Sequence, residues 1–272
     1  MYPYELFLGM TLYDILVALG VVAAFAVFLL YARHVKLPNQ IQILTLISAL
    51  IGVALGFVAA GLVQSIYFWI ENGKFVWRGM TFYGGLIGGA ALFLGAYFLG
   101  GYLMFRKSET PKLHLQYALQ TFAIAVCSVT IAHAIGRLGC LTAGCCHGRV
   151  FEQKRRGTLP IHHITEGGAL LYIDYAVPVP LYEALFLLGL FALLSWRALK
   201  GKGDALALYM LLYGVWRFGI EYARADDRGE TFIKFLSPSQ LTAILMIIGG
   251  IALLVLYYKV IKKPKAGGGA QP

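Results

Sequence analysis

Long apolar runs, set apart by short polar breaks, dominate the chain. Seven runs of 18 or more mostly apolar residues fall at about 13–32, 43–69, 81–105, 115–136, 180–197, 205–223 and 239–261. As helices, runs of this length cross a hydrocarbon core of roughly 30 Å. The pattern therefore predicts an all-α fold, a polytopic membrane helix bundle with about seven transmembrane helices and a small extracytoplasmic loop region. That loop region is residues 149–178, whose Gly, Pro and Tyr content predicts loops with one short strand near "LLYIDYAV". Residues 1–262 read as one transmembrane domain. The tail 263–272, "KPKAGGGAQP", reads as a disordered cytoplasmic end.

Local signals sharpen this outline. Thr11 with Asp14 three residues on predicts a capping box at the start of the first helix, which gives Asp14 a structural role. Ser237, Pro238 and Gln240 predict the same device before the last one. Gly52, Gly56 and Ala60 lie four apart, as do Gly84 with Gly88 and Gly85 with Gly89. Such stripes of small residues let helix backbones approach closely within a bilayer. The start, "MYPYELFLGMTLYDILVAL", has neither a basic leading region nor a small-residue cleavage site, so it is expected to be retained.

Composition fits a membrane. Hydrophobic residues make up 59% of the 272 and charged ones 13%, about half the charged share of a soluble domain. The net charge of +10 does not indicate nucleic acid, because the basic residues gather in the breaks between runs. With the N-terminus outside, the inner breaks and tail hold twelve Lys and Arg, and the short outer breaks hold five. The positive-inside rule then puts the C-terminus in the cytoplasm.

Charges within the apolar runs carry the chemistry, since an arginine near a helix centre costs about 2.5–3.5 kcal/mol and usually faces a cavity or a partner. Arg137 ends the fourth run and Arg217 lies in the sixth. In "YMLLYGVWRFGIEYAR", Tyr209, Tyr213, Arg217 and Glu221 are spaced by four, with Arg224 three further on, which predicts one winding polar stripe. Pairing of Glu221 with Arg217 alone is the plainer reading. Glu221 does not consume both Arg217 and Arg224, however, and Arg137 remains as well. Arginines near one membrane face suit an anionic head group, because the guanidinium fork matches phosphate oxygens. His133 stands four residues before Arg137, so both face one way. As a neutral imidazole it accepts a proton, or it is a buried histidine bonded to a neighbouring carbonyl.

The stretch "HAIGRLGCLTAGCCHGR", 133–149, also holds Cys140, Cys145 and Cys146. Adjacent cysteines are awkward ligands for one tetrahedral ion, so no metal and no other cofactor is expected. A disulfide from Cys140 to Cys145 or Cys146 stays open. Cys127 reads as a small core residue.

Four segments in order resemble the prolipoprotein diacylglyceryl transferase family. They are "GMTFYGGLIGG", "GRLGCLTAGCCHGR", "PVPLYEAL" and "YGVWRFGIEYAR", followed by "SPSQL" at a helix start. The resemblance implies a transferase of the bacterial cytoplasmic (inner) membrane that moves the diacylglyceryl group of phosphatidylglycerol onto the lipobox cysteine thiol of a prolipoprotein. A thioether forms and glycerol phosphate is released. Its partners are then phosphatidylglycerol, the prolipoprotein signal peptide and membrane lipids. It also implies roles for Arg137 and Arg217 as the family's essential arginines. Gly148 matches the glycine closing the signature loop, and Tyr213, Glu221 and Arg224 match the sixth-run motif. Tyr13 stands near a first-run tyrosine, and Gly84 and Gly85 stand where backbone approaches lipid. The chain departs from the pattern at Tyr83, where the family has His, at Cys140, where it has Asn, and at Cys145, an acidic position. Proton transfer then falls to His133, His147 or Tyr83, with Cys140 as a candidate transient nucleophile. Alternatively the acceptor differs, or the chain is a non-enzymatic membrane thiol or redox protein.

Overall fold

A computed structural model describes residues 4–7, 9–77, 79–80, 82–165, 169–225 and 235–261. Its helices are α1 (Leu12–His34), α2 (Asn39–Asn72), α3 (Phe82–Phe105), α4 (Leu113–Ala143), α5 (Val179–Leu199), α6 (Ala205–Ile220) and α7 (Pro238–Leu256). Its strands are β1 (Glu5–Phe7), β2 (Met10–Thr11), β3 (Val150–Phe151), β4 (Leu159–Ile164) and β5 (Leu170–Ala176). Each apolar run of the sequence is a helix. Six of these are long and apolar enough to cross a membrane. α6, at 16 residues, is the short one, spanning about 24 Å; a 3₁₀ turn over Glu221–Ala223 continues it. The fold is that of a polytopic helical membrane protein. The tail 263–272 lies outside the described residues.

Both capping boxes form. The Thr11 amide donates to Asp14 Oδ2 at 2.8 Å. Ser237 Oγ accepts from the Gln240 amide at 3.2 Å while Gln240 Oε1 accepts from the Ser237 amide at 3.0 Å. Residues 149–178 hold more structure than one strand. β5 lies between β3 and β4, antiparallel to both. β1 and β2 pair antiparallel just before α1.

The backbone forms two compact units, residues 32–121 and residues 1–31 with 122–272. In the first, α2 and α3 meet along the small-residue stripes. A Cβ at Gly52 would come within 3.0 Å of the Gly89 carbonyl oxygen, and one at Gly56 within 3.1 Å of the Gly89 Cα. Gly85 faces Ala60 and Gly56. In a bilayer, where lipid is as apolar as leucine, this close contact is what holds helices together.

In the second unit, α4, α5 and α6 enclose a core of Ala123, Val126, Cys127, Ala134, Leu187, Leu190, Leu194 and Tyr213. Phe186 and Trp216 stack at 4.4 Å between ring centres. α6 and α7 also pack backbone to backbone. A Cβ at Gly250 would lie 2.7 Å from the Leu211 amide nitrogen, and one at Gly214 would lie 3.0 Å from the Ala243 carbonyl oxygen. This approach carries the first turn of α7 to the end of α6, where the polar residues gather.

Candidate active site

The centre of the polar cluster is a residue the sequence reading passed over. Glu183, in the second turn of α5, has no exposed surface. Tyr213 donates from its hydroxyl to Glu183 Oε1 at 2.8 Å. Arg137 Nε lies 3.1 Å from Glu183 Oε2, and Arg224 Nη1 lies 3.8 Å from the same oxygen. His133 Nε2 stands 3.9 Å from Oε1. One carboxylate thus gathers groups from α4, α6 and the strand-like segment after α6. It sits near the start of α5, where the helix dipole favours negative charge. "PVPLYEAL" contained the signal: an acidic residue within an apolar run is as costly as an arginine there.

The arginines are paired but not exhausted. Among the described residues, Arg137 engages the protein through Nε, which also donates to His133 Nε2 at 3.3 Å. An imidazole nitrogen that accepts is unprotonated, which puts the proton of a neutral ring on Nδ1. The same imidazole packs edge-on against the Tyr213 ring at 5.2 Å, and Tyr209 stacks on Tyr213 at 5.4 Å. Arg217 Nη2 lies 2.9 Å from Glu221 Oε2 and donates to Ser239 Oγ at 2.7 Å. Ser237 Oγ donates to Glu221 Oε1 at 2.7 Å. Arg217 is 7% exposed, and its Nη1 is buried with no hydrogen-bond partner among the described residues. Ser237 and Ser239, read from sequence as helix-start residues alone, also hold this second pair.

Glu221 therefore serves Arg217, while Arg224 turns to Glu183. The reason is local. After Ile220 the chain tightens into the 3₁₀ turn, and Arg224 leaves it with φ −83° and ψ 153°. It is extended and off the helical stripe that its spacing suggested. There it forms an antiparallel bridge with Gly148. Gly148 has room for nothing larger, since a Cβ would sit 2.3 Å from the Ala223 carbonyl oxygen. Its amide donates to the Val177 carbonyl at 2.9 Å, tying the loop after α4 to the approach of α5.

Three guanidiniums, Arg137, Arg217 and Arg224, face two carboxylates, Glu183 and Glu221, among the described residues. Buried or half-buried donors remain on Arg137 and Arg217 among the described residues. Such a place suits an anion with several oxygens.

Beside it lie the cysteines. All four are free thiols, and the sulfurs of Cys140, Cys145 and Cys146 lie within 4.8 Å of one another. Hydrogen bonds from the Cys140 and Cys145 thiols, and from the nearby Arg224, hold the Cys146 thiol well below its usual value. The same network pushes Cys145 up. Tyr13 packs over Gly139, where a Cβ would meet its ring at 3.2 Å. Gly84 is buried on α3, in the unit formed by residues 32–121. Tyr83 opens α3, and its side chain lies outside the described residues.

The prolipoprotein diacylglyceryl transferase family model matches residues 4–256. The phosphatidylglycerol–prolipoprotein diacylglyceryl transferase 2 of Clostridium perfringens is 30% identical over 89% of this chain and 88% of its own length. The phosphatidylglycerol–prolipoprotein diacylglyceryl transferase of Clostridium tetani is 32% identical over 91% and 94%. That of Dehalococcoides mccartyi strain BAV1 is 30% identical over 89% and 87%. With a match over nearly its whole length, the chain belongs to the prolipoprotein diacylglyceryl transferase family.

Proposed function

We propose that this enzyme transfers the diacylglyceryl group of phosphatidylglycerol to the lipobox cysteine thiol of a prolipoprotein. The observation that carries the site assignment is the set of hydrogen-bond donors left over on Arg137 and Arg217 beside a fully buried Glu183. In the reaction a carbon–sulfur bond forms at the glycerol carbon that carried the phosphate. The carbon–oxygen bond breaks, and its electron pair leaves on the phosphate oxygen. The phosphate gains negative charge in that step, and Arg137 and Arg217 receive it. A preorganised donor of this kind contributes about 2.7–4 kcal/mol to the transition state.

The thiol proton goes to His133. In the resting arrangement its Nε2 is covered by the Arg137 Nε–H. When the guanidinium turns toward phosphate, Nε2 is released, and the imidazolium that forms has Glu183 Oε1 close by. Tyr213 and Arg224 hold Glu183, and Glu221 holds Arg217. Gly148 lets Arg224 approach, while Tyr13, Tyr83, Gly84 and Gly85 keep the roles that the resemblance implies for them. Cys140, where the family has Asn, takes the role developed below. Residues 1–262 act as one catalytic domain in the cytoplasmic membrane, N-terminus outside, on the strength of the loop charges.

Purified protein in detergent, given phosphatidylglycerol and a lipobox peptide, is expected to yield the thioether peptide by mass spectrometry. Arg217→Lys should lower the rate about 10²-fold or more, and His133→Asn about 10²–10⁴-fold. Wild-type protein that gives no thioether product across lipid and pH conditions would overturn the assignment.

A further inference from the structure

The three-cysteine group beside the arginines is chemistry that the transferase reading does not use. The attacking thiol belongs to the substrate, and phosphate stabilisation belongs to the guanidiniums. Adjacent cysteines ordinarily point apart, which argued from sequence against a shared ion. The backbone removes that objection. Gly144 has φ +72° and Cys146 has φ +59°, both left-handed. A non-glycine residue in that region is uncommon and marks a position held by its surroundings. The reversal folds the loop back on the end of α4, where the Cys145 amide donates to the Cys140 carbonyl at 3.2 Å. All three sulfurs then lie within 4.8 Å of one another.

We infer that Cys140, Cys145 and Cys146 form a metal site that holds one zinc(II) ion through three thiolates and leaves one coordination position to a ligand from outside. Zinc–sulfur bonds of about 2.3 Å set sulfurs in a tetrahedral site about 3.8 Å apart, a distance these side chains reach by small rotations. Three soft donors select a thiophilic ion over magnesium or calcium. Three thiolates around zinc carry one net negative charge. Arg224, which hydrogen-bonds Cys146, and Arg137, which lies close to Cys140 and Cys146, border the site and favour that charge. Three protein ligands with a fourth position vacant is the pattern of zinc sites that bind something further. Cys145 is exposed and Cys140 and Cys146 partly so, which gives that ligand a path. His147 does not complete the set through Nδ1, which bonds the Gly148 carbonyl at 2.9 Å.

The test is metal content, which does not depend on transferase activity. Full-length protein, purified under reductant with a tag other than polyhistidine, is incubated with zinc(II) and desalted. It should retain about one zinc per chain. Cys140→Ser and Cys146→Ser should each fall to about a tenth of that or less, while Cys127→Ser, a core thiol, should match wild type. Because a serine variant could fail to fold, wild-type protein provides the second measurement: zinc should protect three of its four thiols from alkylation. Cobalt(II) in place of zinc should show thiolate charge-transfer absorption that shifts when a small thiol is added. Zinc retention no greater than that of the triple serine variant, or equal alkylation with and without zinc, overturns the site. A cobalt spectrum indifferent to added thiol overturns the open position.

Discussion

Glu183 shows how one buried charge organises its neighbours. It is fully enclosed, and it is compensated by Arg137, Arg224 and the Tyr213 hydroxyl. Glu183→Gln keeps the shape and an acceptor for Tyr213 but removes the charge that faces two guanidiniums. Removing one partner of a buried pair costs about 3–5 kcal/mol. The variant is expected to unfold at a lower temperature in detergent and to lose most thioether-forming activity, both against wild type in the same micelles. The arginines were legible in the sequence because a charge in an apolar run stands out. Glu183 was equally visible by that rule, but its segment, "PVPLYEAL", counted only as one of the four that resemble the family. Which carboxylate serves which arginine was not legible. That depends on the 3₁₀ turn at Glu221–Ala223, which takes Arg224 off the stripe.

At the level of helices and loops, close approach decides what is tolerated. On α3, Gly89 meets the Gly52 carbonyl oxygen, with a would-be Cβ at 3.0 Å, whereas nothing lies within 4 Å of a Cβ at Gly95. Gly89→Val should therefore lower stability by about 1–3 kcal/mol, and Gly95→Ala should leave it near wild type. Thermal unfolding of both in one detergent compares them. In the signature loop, Gly148→Ala must push the chain away from Ala223 and with it Arg224. A displacement of about 1 Å at such a site costs up to about 10²-fold in rate. Gly189→Ala, open on all sides, should leave the rate unchanged. The helices followed from the long apolar runs, and both capping boxes from their cap residues. The three-stranded sheet over residues 149–178 did not, because short strands in a Gly- and Pro-rich segment carry little periodic signal.

Across the unit built on α4 to α7, polar clasps lie at both ends of α5 with an apolar middle between them. Glu183 is at one end. At the other, Arg197 pairs with Asp204, its Nε donating to Oδ1 at 2.9 Å, and Tyr258 donates to Oδ2 at 2.6 Å. The Tyr257 hydroxyl accepts from the Gly203 amide at 3.2 Å. This second clasp joins the α5–α6 turn to the π-helical turn after α7. Burial pushes the Asp204 carboxyl up, but the hydrogen bonds from Arg197 and Tyr258 outweigh it and hold the group below its ordinary value. A depressed folded-state value means stability that is present above the unfolded value, about 3.9, and lost as pH falls through the folded one. Asp204→Asn should thus be less stable than wild type at neutral pH. The gap should stay constant down to about pH 4 and close below it, as read from unfolding midpoints across a pH series.

The seam between Gly148 and Arg224 also has a consequence for biogenesis. Its two edges leave the ribosome at different times, with β3 to β5, α5 and α6 made in between. The loop after α4 pairs first with β5 and the approach of α5, but its seam with Arg224 cannot close until the α5–α6 hairpin is threaded into the bilayer. A nascent chain halted before that point therefore has Arg137 in place but lacks the Glu183 and Arg224 that position it. Competence to grip a lipid arrives late in synthesis and in a single step.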